Sequence, residues 1–447
     1  MRTYFYFISL LLFVNCAPEN KNFQVDLQQP ELIKRSYKKL SDVIVHDIFS
    51  PPVASRVYAY PSIAAYLVLR QENLNYPDLS GKLKGLEKIP QKDPNKTYAF
   101  TLSALQAFIT VSKNLIFSED KIEAYRSELY KELDSINIPK EVWDNSIHYG
   151  DAVAETILSW ANQDNYKETR SYPKFSITEV PARWKPTPPA YMESIEPHWK
   201  EIRPMVLDDA DQFIPVPPTT FSLDKNSKFY KEMLEVYEVV NNADEEKKAI
   251  ASFWDCNPYV MNQTGHVMFA TKKITPGGHW IGITGIATEK AKSDLMETIY
   301  AYTMVSITLM DAFISCWDEK YRSNLIRPET VINENLDESW VPVLQTPPFP
   351  EHTSGHSVIS TAAANVLTEI FGDDFSFDDD VEVEYGLPVR SFSSFKAASQ
   401  EAAISRLYGG IHYRPAIDYG VDQGEKVGQY IIEKLDIKPF YTNSSLE

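Results

Sequence analysis

Residues 281–325 read IGITGIATEKAKSDLMETIYAYTMVSITLMDAFISCWDEKYRSNL, and this stretch decides the fold. Its apolar residues recur at helical spacing over a length far beyond that of a strand, so it predicts a long core helix. A Gly/Pro turn at Thr275-Pro-Gly-Gly-His-Trp280 leads into it. Working outward, the same periodicity predicts helices at 226–241 and 244–256 before this stretch and at 354–371, 396–409 and 416–435 after it. Nearer the N-terminus it predicts helices at 31–48, 53–72, 96–115, 119–135 and 146–163. Strand signals are sparse. The fold class is therefore all-α, a helical bundle with an N-terminal helical extension and Pro-rich loops.

Between Tyr172 and Pro218 the pattern changes, with Pro181, Pro186, Pro188, Pro189, Pro197, Pro204, Pro215, Pro217 and Pro218 set among aromatics. Proline at that density excludes long helices. Trp184, Tyr191, Trp199 and Phe213 are poor choices for a free linker, so an ordered loop lying across helices is expected. The chain divides on this reading into an N-terminal helical region with its Pro-rich loop, 31–218, and a bundle, 219–440.

The 447 residues carry 62 acidic and 44 basic side chains, a formal charge of −18. That balance argues against nucleic-acid binding, which needs a basic face. It does not forbid a local anion site built from a few buried cations.

Residues 1–16, MRTYFYFISLLLFVNC, place one positive charge before a short apolar run that ends on Cys16. The run suits a signal-peptide core and is too short to span a membrane. Ending on a cysteine, it resembles the lipobox of bacterial lipoproteins, although Phe13 and Asn15 stand where Leu and a small residue are usual. The expectation is export, lipidation of Cys16, a polar tether over 17–30, and a protein anchored to a bacterial membrane facing the periplasm or cell surface. No segment after residue 16 reads as a membrane span. Cys256 and Cys316 remain, too few for a disulfide framework, and their pairing is open. No Cys/His spacing matches a zinc motif, and there is no Gly-rich phosphate loop. His266 and His279 read as structural.

Three short motifs carry chemistry. The first is Cys316-Trp-Asp-Glu-Lys320-Tyr-Arg-Ser-Asn-Leu-Ile-Arg327-Pro328. Lys320 and Arg327 are two helical turns apart, which predicts one shared face, with Pro328 ending or bending the helix. Such a pair grips a tetrahedral anion, the Arg by its planar fork and the Lys as a point charge. The second is Ser354-Gly355-His356, delivered by the loop Pro347-Pro-Phe-Pro-Glu-His to a helix N-terminus. There free amides and the helix dipole favour anions, and His356 is a candidate acid or base. The third is Ser405-Arg406-Leu-Tyr-Gly-Gly-Ile-His412. Taken singly, each reads as well as a helix cap or a solvated cation; their order and combination are what point to an oxyanion site.

That combination, Lys-(x)6-Arg-Pro, Ser-Gly-His and Ser-Arg-(x)5-His, resembles the superfamily of vanadium-dependent haloperoxidases and type 2 phosphatidic acid phosphatases. Thr353 stands where Pro is usual. Many relatives place Asp four residues after the second His to orient its ring; that position is Ala416 here, and Asp418 is the substitute assigned. The resemblance implies vanadate or phosphate held by Lys320, Arg327, Ser354, Gly355 and Arg406, with His412 as vanadium ligand. It further implies Lys320, His356 and His412 as the catalytic set, and Trp317 and Tyr259 as neighbours of the pocket; His352, four residues before His356, either tunes the site or ends the loop.

Two reactions share this site. In the peroxidase, His356 assists proton transfer from hydrogen peroxide and Lys320 activates it toward attack by halide, giving hypohalous acid. In the phosphatase alternative, His412 attacks phosphorus to form a phosphohistidine and His356 protonates the leaving group. The long N-terminal extension and the lack of several spanning helices favour the peroxidase. The likeness to bacterial iodoperoxidases makes iodide the expected halide, with bromide second. The sequence leaves open an organic acceptor and the oligomeric state.

Overall fold

The computed structural model describes residues 22–439 except 259, 265 and 266, and for 261–271 the backbone alone. Cys16 and Tyr259 lie outside the described residues.

The expected 281–325 helix is two helices, Pro276–Lys290 and Leu295–Ser323. Asp294 forces the break. Its carboxylate accepts from Glu297 N at 2.8 Å, and Glu297 Oε2 accepts from Asp294 N at 2.9 Å. This reciprocal cap requires non-helical backbone at Asp294, so one helix cannot run through it. The expected turn at 275–280 is instead a helix start. Thr275 Oγ1 accepts from Gly278 N at 3.1 Å, and Pro276 fills the first position, where its missing N–H costs nothing.

The Leu295–Ser323 helix is buried without interruption from Thr298 to Lys320. By length and composition it could cross a membrane, contrary to the sequence expectation, yet its apolar stretch lies wholly inside the protein. A helix apolar all round belongs in such a place. Against it pack Pro51–Leu69, itself backed by Phe100–Leu115, and Gly355–Phe371. The Gly355–Phe371 and Arg414–Leu435 helices approach closely because Gly420, Gly424 and Gly428 face the contact. A Cβ at Gly424 would lie 2.4 Å from Val358 O.

One hydrophobic core runs from Phe23 to Ile437, crossing the division expected at residue 218. Packing begins inside the expected 17–30 tether, where Phe23–Asp26 is helical and Phe23 and Leu27 are buried. The Pro-rich stretch is an ordered loop across the helices. Trp184 and Trp199 are fully buried, whereas Tyr191 is exposed. Asp311, buried on the central helix, accepts the N–H groups of Met205, Val206 and Leu207 at 2.6, 2.7 and 2.9 Å. Among the described residues the strands form only two small antiparallel hairpins, 260–271 and 377–392, so the fold is all-α. Neither hairpin was apparent in the sequence. Cys256 and Cys316 are free and buried.

Candidate active site

The first motif does not occupy one helical face. The long helix stops at Ser323, where Asn324 takes a left-handed conformation, and Arg327 instead precedes a new helix, Pro328–Asn335. Pro328 starts a helix rather than ending one, as its fixed φ allows. The two cations still converge, because the loop turns Arg327 back toward Lys320. Lys320 is fully buried and donates to the carbonyls of Pro350, Glu351 and Thr353 at 3.2, 3.2 and 2.5 Å. Burial, with the neighbouring Arg327 charge, lowers its pKa to about 8. Arg327 Nε donates to Phe349 O at 2.9 Å and Nη1 to Ile411 O at 2.8 Å, while Nη2 is buried without a partner.

Ser354 caps the Gly355–Phe371 helix, its hydroxyl accepting from Ser357 N at 3.3 Å. Its own N–H donates to Ala416 O at 2.9 Å, tying the helix start to the Arg414–Leu435 helix. His356 sits in the first turn with Nε2 buried and unpartnered. Burial and the Arg406 charge hold its pKa well below the usual histidine range, against a backbone hydrogen bond to Trp254. Arg406 is buried, and its Nη2 donates to Trp254 O at 2.7 Å.

His412 is set by two partners. Glu351 Oε1 lies 2.9 Å from Nδ1 and Arg327 Nη1 lies 3.2 Å from Nε2. A carboxylate on Nδ1 fixes the proton there, leaving the Nε2 lone pair facing the cations. Burial and the Arg327, Lys320 and Arg406 charges keep the ring neutral, with its pKa well below the usual range. Glu351 is itself fully buried, its pKa raised to about 7 by burial, and it also accepts from Tyr413 N at 2.9 Å.

His356, Arg406, His412, Trp317, Phe349 and Gly355 line one small cavity of about 40 Å³. A single water needs about 10–15 Å³ on this measure, so a compact anion fits.

A solved structure of a bacterial vanadium-dependent iodoperoxidase is 55% identical, with a TM-score of 0.87, over 91% of this chain and 96% of that one. The chain belongs to the vanadium-dependent haloperoxidase family. The VCPO second helical-bundle domain matches residues 300–437 of this haloperoxidase. A holo-type bacterial vanadium-dependent chloroperoxidase shares the fold at 17% identity and a TM-score of 0.64, covering 94% of this chain and 96% of that one. Its apo-type form does so at 16% and 0.63, covering 87% and 94%. The search of curated proteins gave no match.

The structure thus brings Lys320, Arg327, Ser354, Gly355, His356, Arg406 and His412 of this haloperoxidase to one locus, with Trp317 on its wall. It does not bring Asp418, which is exposed on the Arg414–Leu435 helix beside Arg414. The carboxylate on His412 is Glu351. Sequence spacing missed it because the partner comes from the preceding loop rather than the following helix. One signal was present: Glu351 is a charge placed within Pro347-Pro-Phe-Pro-Glu-His, where neither periodicity nor solvation calls for one. His352 is also displaced. Its Nε2 lies 3.0 Å from Val216 O, so it holds the Pro-rich loop and stays outside the cavity. Phe349 is a further residue missed, its ring 5.1 Å from both Lys320 Nζ and Arg327 Cζ.

Proposed function

We propose that this haloperoxidase holds vanadate between Lys320, Arg327, Arg406, His412 and the Ser354-Gly355 helix start, and oxidises iodide with hydrogen peroxide to hypoiodous acid. The observation that carries the reading is the state of His412. Glu351 fixes its proton on Nδ1, and the unprotonated Nε2 faces buried cations, with Arg327 Nη1 at 3.2 Å. The residues fit vanadate for a second reason. Arg327 Nη2 and His356 Nε2 are buried without partners, and each requires one. An oxyanion that carries a hydroxyl, as vanadate does at neutral pH, would accept from Arg327 Nη2 and donate to His356 Nε2.

Bound vanadate would supply an electrophilic centre that activates peroxide for two-electron oxidation of halide without changing its own oxidation state. The protein supplies the rest. Lys320, tied by three carbonyls and protonated at neutral pH, and the two arginines stabilise anionic charge in a site poor in water. His356, neutral when the site holds no anion, receives a proton at Nε2 from incoming peroxide. Trp317, Phe349 and Phe313 give the cavity an apolar wall suited to a large, weakly hydrated anion, which supports iodide. Bromide is the second halide. A phosphatase would use the same cations and histidines, and the likeness to an iodoperoxidase favours the peroxidase. The N-terminal run ending on Cys16 further supports export and a lipid anchor, tested by mass spectrometry of the membrane-fraction protein for an acylated cysteine.

The deciding assay reconstitutes the protein with orthovanadate and follows peroxide-dependent oxidation of iodide, bromide and chloride, with phosphate-ester hydrolysis measured before vanadate is added. Iodide turnover that requires vanadate is the expected result. Ester hydrolysis without any halide oxidation at saturating vanadate would overturn the reading.

A further inference from the structure

A second set of polar side chains converges behind one wall of the anion cavity, which Cys256 also lines. Cys256, His279 and Glu382 are all buried, at 1%, 0% and 2% exposure. Cys256 Sγ lies 3.5 Å from His279 Nδ1 and 3.7 Å from Glu382 Oε1, and His279 Nδ1 lies 3.2 Å from the same Glu382 oxygen. Behind them, Asp379 Oδ2 lies 2.8 Å from His279 Nε2 and is itself fully buried.

We propose that Cys256 Sγ, His279 Nδ1 and Glu382 Oε1 bind a zinc-like divalent cation, with Asp379 orienting His279 from behind. Spacing is the first argument. Zinc bonds of about 2.0–2.3 Å to N, O and S at tetrahedral angles set neighbouring donors about 3.3–3.6 Å apart. The three observed separations bracket that range. The second argument is the imidazole. Asp379 accepts a hydrogen bond from Nε2–H, which leaves Nδ1 as the nitrogen turned toward the other two donors, the carboxylate–histidine–metal arrangement. Without a cation, one Nδ1 atom faces both a thiol and a carboxylate oxygen. With one, all three satisfy the same partner. Charge is the third argument, since a thiolate and a carboxylate together neutralise a divalent ion in a site too buried to hold it otherwise.

In the metal-free state burial and Glu382 push the Cys256 thiol up to about 11, so uptake of the ion displaces a proton from sulfur. The donor types, one soft and two borderline or hard, suit zinc better than calcium or magnesium. Three protein ligands leave a fourth position for water. The donors come from three separate segments: the loop after the Glu245–Phe253 helix, the first turn of Pro276–Lys290, and the turn after strand Phe377–Asp379. No sequence spacing therefore announces the site. An ion there would cross-link these segments beside Trp254, whose carbonyl receives Arg406, and so would steady one wall of the anion cavity.

The test uses the full chain, reduced and freed of metal with a chelator, then titrated with Co²⁺. Expected are roughly one bound equivalent, a thiolate-to-cobalt charge-transfer band, and displacement by Zn²⁺ with a rise in the melting temperature. Cys256→Ser should lose the band and Cys316→Ser should keep it. Asp379→Asn, which retains all three donors, should keep the band and bind about 10–100-fold more weakly. It serves if Cys256→Ser fails to fold. A folded, reduced wild-type protein with no charge-transfer band at excess Co²⁺ would overturn the proposal, as would a band that survives Cys256→Ser. In either case the cluster is a buried ion pair of protonated His279 with Asp379 and Glu382.

Discussion

Glu351 Oε1 stands 2.9 Å from His412 Nδ1 and 2.9 Å from Tyr413 N, so one buried carboxylate oxygen fixes both the ring and the backbone beside it. Glu351→Gln keeps the shape and removes the charge. Its amide oxygen can still accept from both donors that share Oε1, but it carries no full negative charge to hold the Nδ1 proton, and its NH₂ replaces an oxygen that has no partner. Loss of such a partner typically weakens metal affinity or activity about 10–100-fold. Vanadate titration of Glu351→Gln, followed by iodide oxidation, should show a loss in that range. Asp418→Asn should stay within about twofold of wild type, as expected of an exposed carboxylate. The reverse pattern would restore Asp418 as the orienting group.

Gly424 sits where the Arg414–Leu435 helix meets Val358 backbone, and a Cβ there would lie 2.4 Å from a carbonyl that cannot move aside cheaply. Gly424→Ala gains helix propensity of about 1 kcal/mol. Overpacking costs typically about 1–3 kcal/mol, so the clash wins. Since the same helix pair carries the Ser354 N to Ala416 O bond, separation of the helices also loosens the anion site. The expected outcome is a lower melting temperature with weaker vanadate binding. A stabilised protein would show that the helices have slack.

Asp311 anchors the Pro-rich loop through three backbone N–H groups, yet burial raises its pKa from 3.8 to about 6 against their pull. A carboxyl with a raised folded-state pKa contributes stability that is fully present below the unfolded value and is lost as pH rises through the folded one. A shift of about two units amounts to about 3 kcal/mol, of which roughly half is lost between pH 5 and 7.5. Asp311→Asn cannot ionise, so the stability advantage of wild type over this variant should shrink by about 1–1.5 kcal/mol across that interval. Denaturant unfolding of both proteins at the two pH values measures it. A difference that is constant with pH would show that the carboxyl is ionised throughout.

The helices were legible because their apolar periodicity is local. The residues around each motif suffice to place Lys320 near a helix end or Ser354 at a helix start. What escaped were features set by contacts across the chain. The break at Asp294 was written as an Asp with Glu three residues on, a local signal overridden in reading by the long apolar run around it. Arg327 comes near Lys320 by a path that seven-residue spacing does not describe, since the left-handed Asn324 ends the helix before it. Glu351 and Phe349 reach the site from a proline loop whose course no periodicity describes. The Cys256, His279 and Glu382 cluster is assembled by tertiary packing alone.

His352 and His356 lie four residues apart and would share a helical face, but they belong to different structures. His352 precedes the helix and lies 3.0 Å from Val216 O on the Pro-rich loop, and burial lowers its pKa to about 4, so it is neutral at physiological pH. His356 opens the helix and turns an unpartnered Nε2 into the buried site. His352→Ala should therefore cost stability through a lost hydrogen bond and a small cavity, about 1–3 kcal/mol, with the rate per vanadate-loaded enzyme nearly unchanged. His356→Ala should lower the turnover about 10²–10⁴-fold, the range for a lost general acid or base, with little change in melting temperature. Paired thermal melts and iodide turnover at saturating vanadate separate the two. A turnover loss in His352→Ala equal to that of His356→Ala would place His352 in the chemistry after all.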